Sequence, residues 1–301
     1  MKLKHGLYVG VACLSAALSM VYEPLDAIQQ STTLDAYAGY RFDNLSTSVH
    51  SFDCDGVFRS MSRLKENRLS VWEIGLKAHL NYCSWYIRGF GSYGWIYPGK
   101  YAESIKDERG SFNKIKGKLN QGRTLDGLIG FGYLFSYDNT FGMGPVGGWS
   151  YDRQRVQAEH VEVDGLEERL LNGLTYTTQW KGPWLGVDAV YENHGLIIHA
   201  GYEFHWAHWN GQWRLKRDSE FFAHSDNRSG RSANGNVIYV DGQWNWVCGW
   251  RLGLGTRLQV WRAEHGRLTP IDRRLISCET SKLKAAKWYS AEIALDLGYV
   301  F

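Results

Sequence analysis

The chain has 301 residues, 15% of them aromatic, with 34 Gly against 5 Pro. That length suffices for one sizeable core or one large closed barrel, and the aromatic and glycine content favours many strands joined by tight turns. A net charge of +3 excludes the strongly basic balance expected of a nucleic-acid-binding protein.

The chain begins with a basic stretch, MKLKH, followed by the apolar, small-residue run GLYVGVACLSAALSMV. This is the pattern of an export signal, with cleavage expected after Ser19 or Ala27. Residues 1–27 are therefore read as a signal peptide and 28–301 as the mature domain. The run is short for a spanning helix, which needs ~20 residues. Gly10, Val11 and Ala12 before Cys13 make a poor lipoprotein site. No later stretch suggests a membrane helix, so the mature chain is expected to be either an exported soluble protein or a membrane barrel.

Long alternating segments follow. LDAYAGYRF sets Leu34, Ala36, Ala38, Tyr40 and Phe42 against Asp35, Gly39 and Arg41. SVWEIGLKAHL sets Trp72, Ile74, Leu76, Ala78 and Leu80 against Glu73, Lys77 and His79. Leu125, Ile129, Phe131, Tyr133, Phe135 and Tyr137 share a face, as do Ile238, Val240, Trp244 and Trp246, and Leu252, Leu254, Leu258 and Val260. A strand at about 169–192 is expected to bend near Gly182 and Pro183, because proline is tolerated in a sheet only at a bulge or kink. In the last stretch Tyr289, Ala291, Ile293, Leu295, Leu297, Tyr299 and Phe301 oppose Ser290, Glu292, Asp296 and Gly298. This is a period of two. The segments exceed the usual globular strand of ~5–6 residues and suit tilted spanning strands of ~9–11 residues or more.

The connections alternate short and long. NYCSW, YDNT, ENHG and WVCGW read as tight turns. Long polar loops are expected at roughly 44–68, 98–123, 153–168, 209–236 and 263–286. Short periplasmic turns and long extracellular loops are the habit of outer-membrane barrels. The fold class is therefore read as all-β: a single closed antiparallel transmembrane β-barrel of about ten strands, with both termini periplasmic. The last strand closes it against the first, since no sheet edge is left unpaired in lipid. Tyr37, Tyr40, Trp72, Trp85, Trp95, Tyr133, Trp244 and Tyr299 are expected to form interfacial girdles. Arg41, Glu73, Lys77, Arg88, Glu203, Arg251, Arg257, Glu292 and Asp296 are expected to point inward and form a salt-bridge network.

The strand count, the five long loops and the run YTTQWKGPWLGVDAVYENHGLIIHAGYEFHW resemble the omptin fold. AGYRFDN and SWYIRGFGSYGWI look more specifically like the outer-membrane proteins of environmental chlamydiae. The resemblance places the chain in the outer membrane of a Gram-negative bacterium, with a terminal aromatic, Phe301, matching the signature that barrel-assembly machinery reads. Omptins are surface proteases with an Asp pair and an Asp–His pair at the mouth. Where the Asp pair is expected, the chain reads YPGKYAESIKDERGS, with Glu103, Asp107 and Glu108 but no Asp-x-Asp. Where the Asp–His pair is expected stand Trp213, Arg214 and Lys216, and the nearest candidates, His224 and Asp226, come later and in reversed order. Omptin proteolysis is therefore not expected. The family also binds lipopolysaccharide on its outer wall; Trp149 and Arg153 match that pattern, while Tyr151 and Gln179 depart from it.

No metal or other cofactor is expected. His160, His205, His208 and His224 match no closed-site spacing, and on a strand His205 and His208 face opposite sides. In the ten-strand layout Cys54 lies in the first long loop and Cys278 in the last, which become neighbours on closure, so a disulfide between them is expected. Cys83 and Cys248 fall in separate turns, as free thiols or intermolecular cross-links. Three function classes follow: a surface or envelope-structural barrel acting through its loops on lipid, polysaccharide or a host surface; an outer-membrane peptidase; and a narrow porin.

Overall fold

Alternating side chains become long antiparallel strands in the computed structural model, which describes residues 31–52, 58–97, 99–107, 112–137, 140–163, 174–215, 227–246, 248–269 and 280–301. The segments are β1 (Ser31–Phe52), β2 (Phe58–Tyr82), β3 (Trp85–Ile96), β4 (Gly99–Asp107), β5 (Phe112–Tyr133), β6 (Phe135–Ser136), β7 (Phe141–Val163), β8 (Leu174–Asn193), β9 (Leu196–Leu215), β10 (Asn227–Asn245), β11 (Trp250–Thr269) and β12 (Thr280–Val300). β2 pairs with β3 along Val71–Tyr82 and with β4 along Ser60–Asn67, so β3 and β4 are two pieces of one wall strand. The two-residue β6 extends β5 against β7. Among the described residues this leaves ten wall strands in a closed meander. β1 pairs with both β2 and β12, and Thr33 lies opposite Val300 across the closing seam.

Two connections are tight turns in the left-handed region. His194 and Gly195 have φ of 49° and 82°, and Cys248 and Gly249 have 58° and 83°. Positive φ at both central positions gives the turn a twist that matches the flanking strands. Cys83, at φ 52°, starts the turn between β2 and β3. These connections define a turn end of the barrel; the opposite end is the loop end.

The outward face is an apolar band. On β11 it runs from Trp250 through Leu252, Leu254 and Leu258 to Val260, all exposed. Ten residue steps at ~3.4 Å, tilted by ~40°, give a height of about 25 Å, that of a bilayer-facing belt. On β2 the band spans Trp72 to Leu80. Trp85, Trp244 and Trp250 lie outward near the turn end, and Trp72 and Trp95 toward the loop end. Tyr37 is a correction: it is 4% exposed and lies inside the lumen. Its parity is that of Asp35 and Arg41, not of the outward Leu34 and Phe42.

The expected long loops are also corrected. Strands occupy most of 44–68, 98–123 and 263–286 and reach into 153–168 and 209–236. Above the band the outer face of a strand meets water and turns polar while the inner face stays apolar, so the outward apolar belt ends while the hydrogen-bond ladder continues. The β-bulges collect there: the register shifts between Asp43 and Leu45, between Ser48 and Val49, and between Gly230 and Ala233. Pro183 causes neither bulge nor register shift. Its ladder to β7 is unbroken, and only the pairing of Gly182 and Pro183 with β9 is missing. Lacking an N–H, proline omits a ladder bond without moving the frame. The signal segment and Cys54, Cys278, Glu108, Lys216, His224 and Asp226 lie outside the described residues.

Candidate functional site: the filled lumen

Near the turn end the interior carries many charged residues beside a small apolar cluster of Leu134 and Val146, and the charges meet in pairs. Arg251 donates from Nε and Nη2 to the two oxygens of Asp35, across the β11–β12–β1 seam. Lys77 Nζ lies 2.9 Å from Asp241 and 3.1 Å from Asp296. His79 and His199 face each other with ring centroids 5.5 Å apart. A cavity of about 70 Å³ lies beside them, lined by Lys77, Arg88, Asp241 and Arg257 among others.

The next level is a hydrogen-bonded core. Arg88 donates to Glu203 at 2.7 Å and to the Tyr239 hydroxyl at 2.8 Å. Tyr86 and Tyr239 donate to the two oxygens of Asp188 at 2.6 and 2.7 Å. Above it Arg41, 1% exposed, holds Asp126, Glu73 at 3.2 Å and Asp43 at 3.2 Å. The expected inward set thus does point inward, and its members contact strands far away in sequence. A single exposed pair contributes little, but buried charges need this degree of pairing to be tolerated at all.

A row of rings then crosses the lumen. Trp288 on β12 stacks on Trp261 of β11 at 6.0 Å; Trp261 meets Trp180 of β8 at 5.6 Å; Trp180 meets Trp209 of β9 at 6.1 Å. A branch runs from Trp261 to His205 at 4.8 Å and on to Trp184 at 5.9 Å. Cations cap both ends from below, Arg41 at 5.6 Å from the Trp288 ring and Arg88 at 4.8 Å from that of Trp184. All five indoles are at most 1% exposed. Each ring needs space on a neighbouring strand, and glycine supplies it: a Cβ at Gly130 would lie 2.6 Å from Trp184, and one at Gly211 would lie 2.7 Å from Trp209. Toward the loop end the interior continues as Leu45, Val49, Leu64, Leu69, Tyr176 and Leu283.

Two polar groups are embedded in this layer. His205 is bracketed by Ser150, whose hydroxyl lies 2.9 Å from Nδ1, and by Glu203, 2.8 Å from Nε2. The string has the residue types of a nucleophile, base and acid, but all three are at most 3% exposed beneath the indoles. Glu66 lies just above the apolar band, fully buried, opposite Leu45. Neither carboxylate oxygen has a hydrogen-bond partner among the described residues. Burial alone pushes its carboxyl up to about 8.

The other site residues are dispersed. Trp149 is 53% exposed on the outer wall of β7, and Arg153 is exposed on the same face. His205 and His208 do face opposite sides, one buried and one exposed. Among the described residues no three His, Cys, Asp or Glu side chains converge as metal ligands. Asp107 stands opposite Ser60 in the β2–β4 ladder. Cys83 and Cys248 are exposed free thiols. The Phe301 N–H donates to the Thr32 carbonyl at 2.9 Å, tying the end of the chain to β1. The indoles were missed as a group, although each shares the inward parity of a charged neighbour, as Trp261 does with Arg257 and Trp288 with Glu292.

A closed meander of ten strands, an apolar belt outside and charged residues inside define an integral outer-membrane β-barrel. The chain belongs to the Protochlamydia outer membrane protein family, whose model matches residues 35–301. Among solved structures it is similar to the outer membrane protease OmpT from Escherichia coli, with a TM-score of 0.63 and 11% identity over 94% of this chain and 99% of that one. At that identity the likeness is one of fold. The outer membrane protein OprG from Pseudomonas aeruginosa aligns with a TM-score of 0.33 and 13% identity over 90% of this chain and 96% of its own. A FadL homologue from Pseudomonas aeruginosa gives 0.31 and 8% over 90% of each chain. No curated protein matches the sequence.

Proposed function

We propose that this barrel is a sealed envelope component that acts through its outer wall and loop-end surface, without omptin-type proteolysis and without solute transport. The loop end faces outward, and both termini face the periplasm. The observation that carries the reading is the indole row from Trp288 to Trp209, lying on paired charges that occupy the interior below it. A ten-strand barrel is narrow, and wide aqueous channels need ~16–18 strands. Proteolysis by the omptin route needs water held between acids and a base at the mouth. There the described interior is apolar. The outer-membrane lipid, including lipopolysaccharide near Trp149 and Arg153, and the assembly machinery that reads Phe301 are its expected partners; a host-surface or polysaccharide ligand would meet the loops.

Planar-bilayer conductance of the refolded, signal-free protein, paired with a fluorogenic dibasic peptide assay, tests this. The expected result is silence in both. Steady single-channel conductance would replace the reading with a narrow porin. Cleavage abolished by His224→Ala or Asp226→Ala would replace it with a peptidase whose catalytic residues are rearranged.

A further inference from the structure

Just above the apolar band, on the wall made by β11, β12, β1 and β2, cations gather in register. Lys287 on β12 lies opposite Arg262 of β11 and Ser46 of β1, and Ser46 lies opposite Lys65 of β2. One step further from the band, Ser48 lies opposite Arg63 and Ala285. Between these rows runs an open groove of about 290 Å³, lined by Ser46, Ser48, Arg63, Arg262, Lys284 and Lys287. Its one carboxylate, Glu264, is ion-paired with Arg262. The remaining cations face outward and are not matched by acids in the groove.

The surface directly below is apolar. Val260, Tyr289 and Asn44 form the first row under the cations, then Leu258, Ala291 and Phe42, then Thr256, Ile293, Tyr40 and Trp72. Tyr289, Leu258, Phe42 and Trp72 are about half exposed. A ligand that satisfies this wall has an anionic head at the height of the groove and long apolar chains beneath it. Phosphate suits the head, because guanidinium and ammonium groups flanked by hydroxyls offer charge-assisted donors.

We propose that this groove binds the phosphorylated head group of an outer-leaflet glycolipid, whose acyl chains lie on the apolar wall below. The site is on the far side of the ten-strand ring from Trp149 and Arg153. It rests on the outward-facing loop end proposed above, and not on the state of the lumen. A free phosphate would use the cations but not the wall; a lipid uses both.

The test is retention of lipid by the purified, folded barrel, read by native mass spectrometry. The probes are bisphosphorylated lipid A, the same lipid stripped of phosphate, phosphatidylglycerol and inorganic phosphate. Wild type is expected to hold bisphosphorylated lipid A, and the R63Q/K284Q/K287Q variant to lose at least about tenfold in retention, since each cation near an anionic surface contributes measurably. Removing the phosphates from the lipid should reproduce the loss. R153Q with K181Q, which removes the exposed cations of the β7–β8 wall, is carried in both proteins, so that retention reports the groove alone. Heat-modifiable mobility of each variant reports folding independently of lipid. Equal retention by wild type and triple variant would overturn the proposal, as would displacement of the lipid by inorganic phosphate or equal retention of phosphatidylglycerol. A reversed barrel is detected separately, by the thiol labelling described below.

Discussion

Glu66 makes a quantitative prediction about pH. It is 0% exposed, opposite Leu45, with no hydrogen-bond partner among the described residues. Its pKa rises to about 8 in the fold because burial penalises the anion. At about 1.4 kcal/mol per tenfold change in acidity, a rise from the ordinary carboxylate value corresponds to roughly 5 kcal/mol favouring the neutral acid. The folded state therefore binds a proton that the unfolded state has already released. The stabilisation is complete below pH ~4.5, declines as pH rises, and is lost once the folded group ionises near 8. The assay is urea unfolding of the refolded barrel in detergent, followed by tryptophan fluorescence from pH 5 to pH 9. Wild type should lose several kcal/mol over that range. Glu66→Gln keeps the shape and removes the charge, so its unfolding midpoint should be nearly flat with pH and should exceed that of wild type at pH 9. A flat wild-type profile, or an unchanged slope in the Gln variant, would refute the assignment of a buried neutral acid.

Other consequences are equally direct. Gly130→Ala places a Cβ 2.6 Å from Trp184, and the displaced indole should cost about 1–3 kcal/mol of unfolding free energy. Asp35→Ala leaves Arg251 buried without its partner; the loss should be about 3–5 kcal/mol, and Arg251→Met in the same chain should recover part of it. Trp180→Ala with Trp261→Ala removes the middle of the ring row, and bilayer recordings should show conductance that wild type lacks. Cys83 and Cys248 are exposed thiols in turn-end connections. In a C54S/C278S background a membrane-impermeant maleimide should label them only after the outer membrane is permeabilised. Labelling on intact cells would reverse the orientation, and a monomer-only pattern on non-reducing gels after thiol blocking would dismiss intermolecular bridges.

The architecture was legible because lipid imposes a rule on every second residue. Leu252, Leu254 and Leu258 must face hydrocarbon, so Arg251, Arg257 and Gln259 must face inward, and the network could be read from parity. Tyr37 shows the limit of reading residue type before parity: an aromatic was assigned to the interface although Asp35 and Arg41 on either side marked its face as internal. The strand extensions were illegible for a different reason. On β1 and β2 above the band the outward residues include Ser46, Ser48, Arg63 and Lys65, and a strand in water with a polar outer face resembles a loop. The ring row had a signal, the inward parity of Trp180, Trp209, Trp261 and Trp288, but which indoles meet depends on strand stagger, and bulges such as that between Asp43 and Leu45 change the stagger without announcing themselves in composition.

The ring row is assembled from β8, β9, β11 and β12, while the cation beneath Trp288 comes from β1. An open sheet inserted up to β10 would lack two of the four indoles and would leave Asp35 and Arg41 without Arg251 and Trp288. Pairing of β1 with β12 therefore shuts the wall and the interior in one event. On the sealed reading proposed above, a barrel caught halfway would be both leaky and unstable.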